Sequence, residues 1–196
     1  MLAVNALIIK TANNKDIVPN FAVTKQDKLL AIFAQAVKVG GGVHTSAELA
    51  FFMGEALTPS FTKFLADCVK KGIIRRLASG IFESSLTPPN PKTALYQLVN
   101  KLRSDVLTYI SLESQLSYLG EISQHVMDTV TLMTKGRSVE FATPYGIIEL
   151  VHTKQAVAKL MPNLYYDPEI KAYRANKAQA LADLKSTRRN LHMLEA

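Results

Sequence analysis

The sequence contains one cysteine among its 196 residues, which excludes an intramolecular disulfide. Cys68 falls on the apolar side of a predicted helix, so we expect a buried thiol and a reducing, cytoplasmic setting. Long hydrophobic runs are also missing. The apolar stretch at residues 2–9 lacks a preceding basic region and is too short to cross a bilayer, so we expect neither a signal peptide nor a membrane anchor.

Sequence signatures of catalysis are missing as well. The three glycines at residues 40–42 are not followed by the Lys and Ser or Thr of a phosphate-binding loop, so they predict the end of a helix. The acidic pair in residues 167–169 lacks the upstream Gly-Ser signature of a nucleotidyltransferase metal site. We therefore predict no enzyme activity, no cofactor and no metal site. The histidines also lie far apart along the chain, at His44, His125, His152 and His192.

Acidic residues are few, since 16 Asp and Glu stand against 23 Lys and Arg, and the net charge is +7. This excess is typical of proteins with a polyanionic partner, but it equally fits ordinary solubility or affinity for a membrane surface. The excess is concentrated in two segments. Residues 60–76 have a local net charge of +4, and residues 171–189 have a local net charge of +5.

The first basic segment lies in a stretch, residues 58–82, that predicts a DNA-recognition helix followed by a basic β-hairpin. Thr58 is a suitable N-cap, Pro59 suits the first helical position, and apolar residues recur with helical spacing over residues 61–68. The opposite face of this helix directs cations outward. β-branched and basic residues, an Ala-Ser-Gly turn and a return strand then predict a hairpin over residues 73–82.

Two helices are predicted before the recognition helix. Residues 25–39 have an apolar stripe of helical period that ends at the glycine run. Thr45 or Ser46 caps a short second helix, with Glu48 at capping-box distance from Thr45, and Gly54 ends it. This order of elements is that of a winged helix-turn-helix domain, whose third helix enters the major groove.

We expect side chains on the recognition helix and hairpin to contact DNA phosphates or base edges. Arg75 and Arg76 are neighbours on a strand and should point to opposite sides, so only one of them should meet DNA. Arg137, on a later turn, is either a further phosphate contact or an ordinary solvated charge. The full set of candidate DNA-contacting residues is Ser46, Thr58, Ser60, Thr62, Lys63, Lys70, Lys71, Arg75, Arg76, Ser79 and Arg137.

Three prolines in residues 86–92 predict an extended connection between two domains. We divide the chain into an N-terminal extension (residues 1–20), a winged helix-turn-helix domain (21–86), a Pro-rich linker (87–92) and an α+β domain (93–196). The extension is either an extra strand or a mobile segment, and residues 11–20 suggest a linker. Winged helices also serve as protein-binding modules, so a protein-interaction module is the alternative to a DNA-binding protein.

Residues 93–196 predict a mixture of helices and strands. Strands at residues 129–134, 138–142 and 146–151 are separated by short turns and predict an antiparallel three-stranded meander. The other predicted elements are a helix at 93–103, a strand at 106–110, a helix capped by Ser111 and ended by Gly120, and helical segments at 154–160 and 173–189. The predicted fold class is α+β, with an N-terminal winged helix-turn-helix domain followed by a smaller α+β domain that has this meander and C-terminal helices.

Three ordered motifs, GIIRRLASGIF, YISLESQLSYLG and TVTLMTKGRSVEFATPYGIIELVHT, resemble the AbiEi antitoxins of type IV toxin–antitoxin systems over about residues 45–153. KAQALADLKSTRR at residues 177–189 is similar to the start of the next helix in that family. The resemblance implies a winged helix that binds inverted repeats in its own promoter and represses the operon. It also implies a C-terminal domain that counters a co-encoded toxin of nucleotidyltransferase type.

The chain departs from the family pattern at both ends, since its C-terminal domain is shorter than in fuller members and residues 1–20 have no counterpart. A chain that kept only the DNA-binding half would be a transcriptional regulator without antitoxin activity, for example on a mobile element. The sequence has no coiled-coil heptads, so we expect monomers or a weak dimer on double-stranded DNA.

Overall fold

The computed structural model describes residues 6–8, 19–21, 23–122 and 128–189, which form a mixed α+β fold. The helices are α1 (Lys25–Lys38), α2 (Ser46–Met53), α3 (Pro59–Lys70), α4 (Pro91–Leu102), α5 (Leu112–Tyr118), α6 (Val157–Leu160) and α7 (Lys177–Thr187). The strands are β1 (Ala6–Ile8), β2 (Pro19–Phe21), β3 (His44–Thr45), β4 (Ile74–Ala78), β5 (Ile81–Ser84), β6 (Thr108–Ile110), β7 (Thr129–Thr134), β8 (Val139–Thr143), β9 (Gly146–His152), β10 (Leu164–Asp167) and β11 (Ala172–Ala175).

α2 and α3 begin where their capping residues predict. The side chain of Thr45 accepts a hydrogen bond from the backbone N–H of Glu48, whose carboxylate accepts from the backbone N–H of Thr45, so α2 has a complete capping box. Thr58 Oγ1 accepts from the Phe61 N–H at 3.2 Å and caps α3. The helix ends are also as predicted, because Gly54 and Gly72 follow α2 and α3 with φ near +70°.

The N-terminal half packs α1, α2 and α3 against an antiparallel three-stranded sheet with the order β3-β5-β4. Hydrophobic residues from all three helices and the hairpin form its core, among them Leu29, Phe33, Leu49, Phe61 and Leu65. Cys68 lies in the same core, so the predicted buried thiol is confirmed. Burial of these apolar faces fixes the orientation of α3 relative to the hairpin β4–β5.

The C-terminal half contains a six-stranded sheet with the order β10-β11-β6-β7-β9-β8, and the predicted antiparallel meander is wrong. β9 lies between β7 and β8 and pairs parallel with β7, while β8 forms an edge. Both faces of β7 are covered, because five of its six residues are buried. Val130 and Leu132 belong to one core cluster, whereas Met133 belongs to a second cluster with α5 and α7.

The connection from β7 to β8 therefore has to cross the end of β9. In residues 135–138, Ser138 Oγ accepts from the backbone N–H of His152 at 2.8 Å, and Lys135 Nζ donates to the carbonyl of Thr153 at 3.0 Å. The short segment that looked like a hairpin turn is thus a bridge across a third strand. The C-terminal half, with its six strands, is also the larger part of the fold and not the smaller one as predicted.

The structure does not mark clear boundaries at the predicted domain limits. β1 and β2 pair antiparallel, and most of the predicted linker at residues 11–20 lies outside the described residues. α4 begins at Pro91, so the last part of the predicted Pro-rich linker is helical. One apolar cluster includes Leu77 and Ile81 of the hairpin together with Leu98 and Ile148 of the C-terminal half. The division into two domains stays a prediction.

Candidate nucleic-acid interface

One face of α3 is exposed along the whole helix. Thr62, Lys63, Ala66 and Lys70 lie on it because they recur with helical spacing, and Ser60 is exposed at its flank. Within the described residues, Lys63 has no ion pair. Lys70 Nζ lies 3.9 Å from Asp67 Oδ1, and both side chains are exposed, so this pair neutralises little of the charge.

The hairpin β4–β5 follows α3 directly, and its two arginines make different contacts. Arg75 forms an ion pair with the fully buried side chain of Glu83. The Arg75 guanidinium also lies 5.6 Å from the centre of the Tyr145 ring. Arg76 instead donates from Nε to the Ala78 carbonyl at 3.2 Å and from an Nη atom to Ser79 Oγ at 3.3 Å. Arg76 is therefore the arginine that remains at the exposed hairpin turn.

Arg75 is held toward the C-terminal half by a small polar cluster. Tyr145 donates its hydroxyl hydrogen to Glu83 Oε2 at 2.6 Å, so the buried carboxylate is shared by Arg75 and Tyr145. Burial, together with the neighbouring Glu83 carboxylate, raises the pKa of Tyr145 to about 12. The phenol therefore keeps its proton and its donor role at neutral pH.

The remaining candidate residues lie in three different places. Ser46 donates to the Gly80 carbonyl at 3.3 Å, which joins the start of α2 to the hairpin turn, while Thr58 caps α3. Lys71 and Ser79 are exposed at the end of α3 and at the hairpin turn. Arg137 is exposed in the bridge before β8, at the opposite end of that strand from Tyr145, so it does not join the others.

The described part of the chain contains neither a metal-binding cluster nor a membrane-spanning helix. It contains no group of three or more His, Cys, Asp or Glu side chains that could hold a metal ion. None of its helices has both the length and the apolar character needed to cross a bilayer. His125 and His192 lie outside the described residues.

Sequence reasoning missed a buried polar network in the C-terminal half. Asp183 accepts hydrogen bonds from Tyr109 at 3.0 Å, Ser111 at 2.7 Å and Gln179 at 2.8 Å. Ser111 precedes α5 as predicted, but its hydroxyl binds Asp183 and does not cap the helix. Burial raises the pKa of Asp183. No local signal identifies this network, because Tyr109 and Ser111 lie more than 70 residues before Asp183 in the sequence.

No protein-family model matches the sequence, and no curated protein matches it. Among solved structures, the fold is similar to the crystal structure of the RV2827C protein from Mycobacterium tuberculosis, with a TM-score of 0.51 and 12% sequence identity. The similarity covers 78% of this chain and 58% of that chain, so the chain spans less than two thirds of that protein's length. At this level of identity, the likeness shows a related fold only.

Proposed function

We propose that residues 21–86 form a winged helix-turn-helix domain that binds double-stranded DNA, with α3 in the major groove and the hairpin β4–β5 beside it. The observation on which this depends is the exposed face of α3, where Lys63 and Lys70 stand without strong acidic partners within the described residues. Arg76 adds a third cation at the hairpin turn. Such a surface fits a row of phosphates better than it fits an apolar partner.

The chemistry of the exposed face also supports recognition of base edges. Ser60 offers a hydroxyl group beside the two lysines that can donate to phosphates or to base edges. The Thr62 hydroxyl donates to the Thr58 carbonyl at 3.2 Å, so it offers an acceptor for a base-edge donor. Ala66 leaves a shallow place between Lys63 and Lys70 where the helix can approach closely. We assign Arg75 to the contact with the C-terminal half and Arg76 to DNA.

The biological role that we propose is repression of the protein's own operon through inverted repeats in its promoter. The further role as antitoxin against a co-encoded nucleotidyltransferase-type toxin is based on the AbiEi resemblance alone. A cytoplasmic location and a non-enzymatic function belong to the same proposal. The alternative is a winged-helix module that binds protein, or a mobile-element regulator without antitoxin activity.

The test is fluorescence anisotropy with a duplex that contains the sequence upstream of the gene. Three phosphate contacts predict a slope of about −3 when log K is plotted against log salt concentration. The double variant Lys63→Glu/Arg76→Glu should lower affinity by roughly 100-fold or more, because two charged contacts are lost and replaced by repulsion. The matched control Lys159→Glu/Lys185→Glu changes the net charge equally at exposed positions elsewhere.

Equal affinity for the two double variants would contradict the assignment of α3 as the DNA-contacting helix. No duplex binding by the wild type, together with a stable complex with the product of the adjacent gene, would favour the protein-interaction alternative. The antitoxin role has a separate test. Co-expression should restore growth to cells that produce the adjacent gene product, and failure to do so would remove that role without affecting DNA binding.

A further inference from the structure

An apolar cavity of about 720 Å³ lies beside α1, on a side of the N-terminal half that the DNA-binding proposal does not use. Its volume is within the range of small-molecule sites, which are usually apolar with a few polar groups. The apolar part of its lining comes from α1 and α2, from the residues Ala31, Ile32, Ala36, Val39 and Phe52. The cavity is broadly open to solvent, since Ala31, Val39 and Lys171 in its lining are exposed, so a ligand could enter without unfolding of the chain.

His44 lies in the wall of this cavity and is unusual for a buried polar residue. Its side chain is 8% exposed, and neither ring nitrogen has a hydrogen-bond partner within the described residues. The imidazole instead packs edge-on between Phe33 and Phe52, with ring centres 5.3 and 5.6 Å away. Buried polar atoms are usually hydrogen-bonded, so an unpartnered imidazole in a cavity wall indicates a missing partner.

Phe52 is the more exposed of the two rings that pack against His44. It is about half exposed, whereas Phe33 is fully buried. Burial lowers the pKa of His44, so the ring is neutral at pH 7 and offers one donor and one acceptor.

The charged groups of the cavity are all cationic. Lys28 and Lys171 line it, and no Asp or Glu is among its lining residues in the described part of the chain. Lys28 Nζ donates to the Met53 carbonyl at 2.6 Å, which leaves two of its three donors for a ligand. The cavity therefore combines an apolar wall, an unpartnered imidazole and positive charge.

The geometry points to a binding site for a small amphipathic carboxylate, with its hydrocarbon or aromatic body against α1 and Phe52 and its carboxylate toward Lys28 and Lys171. Lys171 lies in the turn between β10 and β11. Its backbone carbonyl accepts a hydrogen bond from the Asn100 side-chain amide at 2.9 Å. Because α1 belongs to the N-terminal half and Lys171 to the C-terminal half, a bound ligand contacts both.

The experiment measures binding of anilinonaphthalene sulfonate by fluorescence and its displacement by octanoate, 1-octanol or octylammonium, without DNA. Octanoate should displace the probe at a concentration roughly tenfold lower than octylammonium, as expected for a charge-assisted contact. Ala31→Trp fills the cavity and should abolish the displaceable signal. Its matched control is Ala182→Trp, which places the same side chain at an exposed alanine of α7.

A second pair of variants tests the charge separately from the shape. Lys28→Met/Lys171→Met should remove the preference for octanoate over 1-octanol, whereas Lys159→Met/Lys185→Met, with the same loss of charge, should retain it. Equal displacement by octanoate and octylammonium in the wild type would overturn the proposal. An undiminished signal in a folded Ala31→Trp variant would do the same. Neither result depends on DNA binding, so this proposal and the proposed function can fail independently.

Discussion

The two basic segments of the chain differ in what their cations contact. In residues 171–189, Arg174 Nε is 2.7 Å from Asp167 Oδ2, and Lys177 Nζ is 2.7 Å from Glu121 Oε2. Arg189 donates to Glu149 at 2.8 Å and lies near Glu113. These acidic partners come from outside the segment. In residues 60–76, only Arg75 has such a buried partner, and Lys63, Lys70 and Arg76 stay at the surface.

This difference shows that the net charge of a sequence segment does not predict how many of its cations remain free at the protein surface. The C-terminal segment has the larger excess in sequence, but three of its six cations, Arg174, Lys177 and Arg189, pair with acidic residues from other parts of the fold. The α3 segment has a smaller excess that solvent or a ligand can reach. Substitutions that remove one cation from each region should therefore affect different properties.

The largest effect on stability should come from Arg174→Met. The Arg174 side chain is 6% exposed, and its loss removes the hydrogen bonds that it donates to Asp167 Oδ2 and Gln115 Oε1. We expect the free energy of unfolding to fall by about 3–5 kcal/mol in urea denaturation, as for other broken buried pairs. Lys185→Met, at an exposed position of the same segment, serves as the control. If Arg174→Met lowered the free energy of unfolding by less than about 1 kcal/mol, the cations of residues 171–189 would not differ from those of α3 in their effect on stability.

An intermediate effect should come from Tyr145→Phe, which tests whether Arg75 belongs with the structural cations. The variant removes the hydroxyl that donates to the buried Glu83 carboxylate. We expect a loss of about 2 kcal/mol in unfolding free energy, since the bond is to a charged acceptor. Tyr166→Phe is the control, because that side chain is 53% exposed. Equal stability of the two variants would mean that the Tyr145 hydroxyl does not stabilise the buried Glu83 carboxylate that Arg75 shares.

The smallest effect on stability should come from Lys63→Ala. The side chain is exposed on α3, and Ala is a good helix former, so the unfolding free energy should change by less than about 0.5 kcal/mol. Affinity for the promoter duplex should nevertheless fall in the anisotropy assay. If Lys63→Ala destabilised the protein as strongly as Arg174→Met, the two segments would not differ in the way described.

Local features of the fold were predictable from the sequence, and the pairing of distant strands was not. Thr45, Thr58 and Gly72 determine helix ends through contacts within a few residues, so the order from α1 to the hairpin could be predicted. The position of β9 depends on which faces of β7 are covered by α4, α5 and α7. That information lies in packing across the whole C-terminal half, which no local periodicity contains.

The candidate interface could likewise be predicted only in part. The exposed face of α3 follows from its helical period, so Lys63 and Lys70 could be assigned to it from sequence. The choice between Arg75 and Arg76 could not be made, because it depends on Tyr145, 70 positions further along the chain. The cavity beside α1 was missed for a similar reason, since Lys171 comes from a distant turn.

The bridge of residues 135–138 has a consequence for how the chain folds. Because β9 lies between two strands that both precede it in the sequence, the sheet cannot grow by adding each new strand to its outer edge. The tight turn at Pro144 and Tyr145 lets β8 and β9 pair early as a local hairpin, at little entropic cost. Docking of that hairpin on β7 places β9 next to β7 and the bridge of residues 135–138 across the end of β9, so we expect docking to be the slower event.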